Sequence, residues 1–99
     1  MLRIFEVHDI SEAQARAVME TELPLLMHRL IRKAHKEGSR GRTAEAQFSF
    51  EGTLFDAAVR LPDEFEASLR SCVGSKVWNV IIGYSVRNYA PYTVTIRLK

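Results

Sequence analysis

The sequence contains a single cysteine, Cys72, so no disulfide can form within the chain. Such sparse cysteine usage fits a reducing compartment. The longest apolar runs fall far short of the roughly 18 residues that a membrane span needs. Charged residues also interrupt the first ten residues, where a signal peptide would need an apolar core. We therefore expect a soluble, cytoplasmic protein with no membrane partner.

The sequence also lacks a recognisable catalytic motif. We find no Ser/His/Asp arrangement, no phosphate-binding loop and no paired carboxylates in a defined spacing, which are the parts that an active site needs. His28 and His35 lie on one side of a predicted helix but have no cysteine or acidic partner at zinc-ligand spacing. Cys72 lies near apolar residues, which favours a buried thiol over a nucleophile. We expect no enzyme activity, no metal and no cofactor.

A long helix is predicted between Ser11, a plausible N-cap with Gln14 as its capping-box partner, and Gly38, a plausible C′ stop. Pro24 lies inside this segment and should kink or split the helix. Apolar residues at helical spacing form one stripe, which should face the core. They are Met19, Leu23, Leu26, Leu30 and Ala34.

The rest of the chain reads mainly as strands. Alternation predicts that Trp78, Val80, Ile82, Tyr84 and Val86 share one apolar face, and Tyr92, Val94, Ile96 and Leu98 another. The predicted strands are 2–7, 44–51, 53–61, 76–86 and 92–99, with a short helix at 62–73. The 99 residues should thus form a single α+β domain of order β-α-β-β-α-β-β, in which a long kinked helix and a short helix cover one face of an antiparallel or mixed five-stranded sheet.

Positive charge is concentrated in the stretch from His28 to Arg42. Its six basic residues against Glu37 give +5, so the rest of a chain of net charge +2 must carry −3. On a helix, the first four basic residues share one sector beside the apolar stripe. They are Arg29, Arg32, Lys33 and Lys36, and Arg40 and Arg42 follow in a glycine-containing loop.

Two interpretations of this basic stretch stay open. Clustered cations suit phosphate backbones, which would predict weak, sequence-independent binding of RNA or DNA. Basic residues are also common in the last turns of a helix, where they complement its dipole. Of the aromatic residues, Tyr89 is the one that packing explains least, since it falls in the turn at 87–91. It is a candidate for a protein interface.

One further set of residues runs from the first predicted strand to the short helix: Phe5, Val7, Ala17, Val18, Met19, Glu20, Glu22, Leu23, Leu26, Gln47, Phe48, Gly52, Val59, Arg60 and Phe65. In these residues the chain resembles a family of small proteins of the T-seven-like podophages that antagonise the bacterial nucleoid protein H-NS. The resemblance runs over about two-thirds of the chain. Pro24 and the hairpin from Val77 to Lys99 depart from the family pattern.

The resemblance implies a non-enzymatic phage protein that acts in the cytoplasm of an infected bacterium. It would bind a host protein, with an H-NS-type nucleoid factor as the leading partner, and relieve gene silencing. The alternatives are an RNA- or DNA-binding module that uses segment 28–42, and an inhibitor of another host defence or transcription component. The sequence leaves the oligomeric state and the strand order open.

Overall fold

A computed structural model describes residues 10–99, so the predicted strand at 2–7 lies outside the described residues. The described part contains three helices and three strands around one hydrophobic core. In chain order they are α1 (Glu12–Ser39), β1 (Glu45–Ser49), α2 (Thr53–Arg60), α3 (Pro62–Ser71), β2 (Val77–Tyr84) and β3 (Pro91–Leu98). The α+β class is confirmed.

Helix α1 begins with the predicted capping box. The Ser11 hydroxyl accepts the backbone N–H of Gln14 at 3.1 Å, and the Gln14 side chain accepts the backbone N–H of Ser11 at 2.9 Å. The predicted stripe is buried throughout, and Ala15 and Met27 extend it. The helix continues through Pro24, so the predicted split is wrong. Pro24 has no backbone N–H, so one carbonyl in the preceding turn has no hydrogen-bond partner within the helix. Pro24 is exposed, so water can hydrate this carbonyl.

The end of α1 is set by Gly41 and not, as predicted, by Gly38. Gly41 has φ +78°, and its N–H donates to the Gly38 carbonyl at 3.1 Å, while the N–H of Arg42 donates to the Glu37 carbonyl at 3.1 Å. These two bonds form a Schellman motif, which uses a left-handed residue just past the helix. Gly38 instead allows a close approach to Ala44, because a Cβ on it would lie 2.9 Å from the Cβ of Ala44.

Replacing Gly38 by Ala should therefore lower the free energy of unfolding by about 1 kcal/mol. The overpacking penalty of about 1–3 kcal/mol outweighs the gain of about 1 kcal/mol in helix propensity. Urea denaturation measures the change. Adding Ala44→Gly should restore most of the loss, since it removes the clashing methyl group. A Gly38→Ala variant more stable than the parent would contradict this account of the contact.

The segment after β1 is a helix, so the predicted strand at 53–61 is wrong. Leu54, Ala57 and Ala58 are buried along one side of α2, and Leu61 continues the same side. Their spacing of three, one and three is that of an amphipathic helix. Helix α3 begins at Pro62 as predicted and buries Phe65 and Leu69 completely. Two hydrogen bonds of 2.9 Å from Arg16 to Glu64 join α1 to α3, and they lower the pKa of the Glu64 carboxyl.

The described sheet has three antiparallel strands in the order β1-β3-β2, so the five-stranded prediction is not met within residues 10–99. Strand β3 lies in the centre and pairs Val94 with Phe48 on one side and with Ile82 on the other. The helices contact β1 and β3 on one face. Val94 and Ile96 are fully buried there, while Val80 and Ile82 are half-buried.

Irregular pairing of β2 with β3 overturns part of the predicted apolar face. Val77 pairs with Leu98 but Asn79 pairs with Arg97, which leaves Trp78 as an extra residue. A bulge of this kind shifts the alternation by one residue. Val77 is consequently buried, whereas Trp78 is 61% exposed, with the Arg97 guanidinium 5.8 Å from its ring centre.

A second shift pairs Tyr84 with Pro91, and the predicted burial of the residues around it is also wrong. Tyr84 and Tyr92 are exposed, and Val86 lies past the end of β2 and is 95% exposed. The two tyrosines still contact helices. The Tyr84 hydroxyl hydrogen-bonds the Glu66 carboxylate, and the Tyr92 ring meets Phe55 edge-on at 5.8 Å.

Two isoleucines on neighbouring strands test this assignment of faces. Ile96→Ala should lower the free energy of unfolding by about 2–5 kcal/mol, because Ile96 is fully buried. Ile81→Ala should lower it by less than about 1 kcal/mol, because Ile81 is 52% exposed on the opposite face. Urea denaturation of both variants gives the comparison. Equal losses would mean that both faces of the sheet are covered.

Candidate nucleic-acid interface

Four of the predicted basic residues lie together on the exposed side of α1. Arg29, Arg32, Lys33 and Lys36, hereafter the basic face, line one shallow depression of about 260 Å³. The buried stripe on the other side of α1 anchors the helix against the sheet and the shorter helices. The same periodicity that buries the stripe thus projects the basic face into solvent.

The basic face has no neutralising partner in the described part of the chain. The arginines Arg16, Arg60, Arg70 and Arg97 lie within 4 Å of a glutamate oxygen. No carboxylate of residues 10–99 lies at ion-pairing distance from the basic face. Its charges are therefore available to an anion from outside the molecule.

Arg40 and Arg42 differ from the basic face in this respect. The Schellman turn folds both residues back on the helix end, where they share Glu37 at N–O distances of 3.6 and 3.1 Å. Both side chains are mostly exposed. Glu37 offsets part of their charge, so the two arginines have less left to offer a phosphate than the basic face has.

The helix dipole accounts for little of the basic face. The dipole acts within the last turn of a helix, and α1 extends to Ser39. Only Lys36 lies in that last turn. The other three lie one to two turns upstream, and like charges three or four residues apart destabilise a helix by about 0.2–0.5 kcal/mol per pair. Helix stability gives no reason for this cluster.

The fold adds two lysines that the sequence reasoning missed. Lys76 precedes β2 and Lys99 follows β3, and the N–H of Lys99 donates to the Lys76 carbonyl at 3.1 Å. Lys76 lines a depression of about 430 Å³ with Arg32 and Lys36, and Lys99 lines the next one with Arg42. A hairpin must bring its two ends together, so the adjacency of the two lysines was predictable. Their position beside the end of α1 was not.

The geometry suits a phosphate backbone. The basic face spans about 10 Å along the helix axis, which is the axial distance across about four successive phosphates on one strand of duplex DNA. No phenylalanine, tyrosine or tryptophan lines these three depressions, although His35 lines two of them. The lining is therefore mainly cationic, and contacts to phosphate carry no sequence information.

The histidines and the cysteine considered above belong to no metal-binding group in the described residues. No group of three histidine, cysteine or acidic residues in 10–99 could hold a metal ion. His28 and His35 are exposed on α1. Cys72 is half-buried at the end of α3, and burial raises the pKa of its thiol, which lowers the thiolate fraction at neutral pH.

Tyr89 lies at the tip of the β2–β3 hairpin, as predicted, and is 83% exposed. Its φ is +53°, in the left-handed region that residues other than glycine rarely adopt. Two backbone bonds of 2.8 Å hold this conformation, from Tyr89 to Ser85 and from Ser85 to Ala90. The loop thus presents an aromatic ring to solvent from a backbone conformation of raised free energy. Residues in such conformations cluster at functional sites, including those that clamp a ligand.

The chain is accordingly an α+β protein whose long helix carries a basic face with no ion-pair partner among residues 10–99. No known protein family, curated protein or solved structure matches it. No helix in residues 10–99 combines the length and the hydrophobicity that crossing a bilayer requires.

Proposed function

We propose that the protein binds nucleic acid through phosphate contacts of its basic face, without sequence preference. The observation that carries this proposal is the convergence on one depression of four cations that have no ion-pair partner in the described part of the chain. A solvated helix surface commonly mixes charges of both signs, and this chain does so elsewhere, as the Glu12–Arg16 and Glu66–Arg70 pairs illustrate. A polyanion outside the protein would supply the missing negative charge.

The proposal predicts a salt dependence that depends on which arginines and lysines are removed. Four phosphate contacts give a slope of about −3.6 in the logarithm of the binding constant against that of salt concentration, from about −0.9 per contact. The double variant Arg29→Gln/Lys33→Gln removes two of the four contacts and should halve the magnitude of the slope, to about −1.8. Its folding should be unimpaired, because both side chains are exposed. Fluorescence anisotropy with labelled duplex DNA of mixed sequence measures both slopes.

The matched control is Arg40→Gln/Arg42→Gln, which removes the same formal charge. Its effect should be the smaller one, because Glu37 already offsets these two residues. Equal losses from the two double variants would mean that net charge, and not the basic face, drives binding. No binding by the unmodified chain at low salt would end the proposal and leave a solvated helix surface.

A second candidate function is binding of a host protein inside an infected bacterium. The exposed ring of Tyr89, held at positive φ, favours a protein contact at the hairpin tip. The resemblance noted above supplies the suggested partner, an H-NS-type nucleoid factor, whose oligomerisation region the protein would occupy to relieve silencing. Neither candidate function calls for catalysis by this chain.

Calorimetric titration against the separated H-NS domains tests this second candidate. We expect heat with the oligomerisation region and none with the DNA-binding domain. Tyr89→Gly should weaken binding at least about tenfold, as loss of an aromatic anchor does. The variant should remain folded, since glycine accepts a φ of +53° without steric penalty. An absence of heat with both domains would remove H-NS as the partner and leave the basic face unaffected.

A further inference from the structure

Strand β2 is the element that the other described elements cover least. The helices pack on β1 and β3, and β2 is held mainly by its pairing with β3. Among the described strands it lies at an edge of the sheet, so half of its backbone N–H and C=O groups have no partner strand within residues 10–99. Its side chains remain partly open on both faces. Val80 and Ile82 are half-buried on the helix side, and Ile81 is 52% exposed on the other.

This edge lacks the usual protection against pairing. Natural edge strands carry proline, lysine or another charged residue, or are very short. Strand β2 has eight residues, Val77–Tyr84, none of which is charged or proline. Its two irregularities lie at the ends and leave residues 79–83 in regular pairing with β3. The opposite edge strand, β1, is shorter and carries Glu45.

The sequence of the regular part is self-complementary. Residues that lie opposite each other in an antiparallel pair point to the same face of a sheet. An arrangement centred on Ile81 sets Ile81 against itself on the open face, Val80 against Ile82 on the helix side, and Asn79 against Gly83. β-Branched residues such as these pack well against cross-strand neighbours on a pleated sheet. No like charges meet, because the strand is uncharged.

We propose that β2 pairs antiparallel with β2 of a second copy of this chain, about a two-fold axis at Ile81. The result is a continuous six-stranded sheet of order β1-β3-β2-β2-β3-β1, with the helices of both copies on the same face. Such an interface is isologous, so one surface serves both copies. A second copy fits this edge for three reasons. The two-fold axis pairs the backbone N–H and C=O groups of both strands, places like faces of the two sheets on the same side, and brings no like charges together. This inference does not depend on the basic face.

Sedimentation analysis of the full chain, from low micromolar concentration to the solubility limit, tests the proposal. The unmodified protein should show a concentration-dependent dimer. Ile81→Lys places two ammonium groups opposite each other at the axis, where Cβ atoms are about 5 Å apart. It should raise the dissociation constant at least about tenfold. Ile81→Glu should do the same, and an equal mixture of the two variants should recover the dimer.

The matched control is Gln47→Lys, which adds the same charge to an exposed position of the other edge strand. It should leave the dimer intact. Thermal unfolding of each variant verifies that the fold is retained, and amide hydrogen exchange should show that the outward N–H groups of 79–83 are protected only in the dimer. A chain that is monomeric at every concentration overturns the proposal. So does a dimer that Ile81→Lys leaves unchanged.

Discussion

The burial of one stripe of α1 is the interaction on which the remaining structure depends. Ala15, Met19, Leu23, Leu26, Met27, Leu30 and Ala34 run along the helix and lie in the core with residues of every other described element. The two shorter helices and the strands β1 and β3 all contact α1, which therefore positions them. Because the stripe fixes the rotation of α1, it also decides which side chains of the helix face water.

Local signals predicted α1 and α3 well, since capping residues and apolar spacing act within a few turns. The stripe of α1 and the burial of Phe65 and Leu69 followed from them. The failure at α2 was one of interpretation. The segment 53–61 was predicted to be a strand, although the spacing of Leu54, Ala57, Ala58 and Leu61 is that of a helix. Trp78 was beyond such reasoning, because a bulge depends on the pairing partner and leaves no mark in the strand's own alternation.

The candidate site divides in the same way. The sector shared by Arg29, Arg32, Lys33 and Lys36 follows from helix geometry alone and was predictable. The neutralisation of Arg40 and Arg42 was not predictable. Glu37 serves Arg40 and Arg42 because the turn after α1 folds them back on it, and that turn depends on Gly41. The placement of Lys76 and Lys99 beside Arg32 and Arg42 needed the tertiary structure, since it depends on where the sheet docks along α1.

The close approach of Gly38 to Ala44 makes these two positions a single unit of variation. A Cβ at 38 would lie 2.9 Å from the Cβ of Ala44, so a side chain at 38 costs less stability when 44 is glycine. The pair also sets how far β1 lies from the end of α1. Covariation of 38 with 44 among descendants of this chain would therefore keep the spacing between the helix and the sheet constant, while the surrounding loop residues drift.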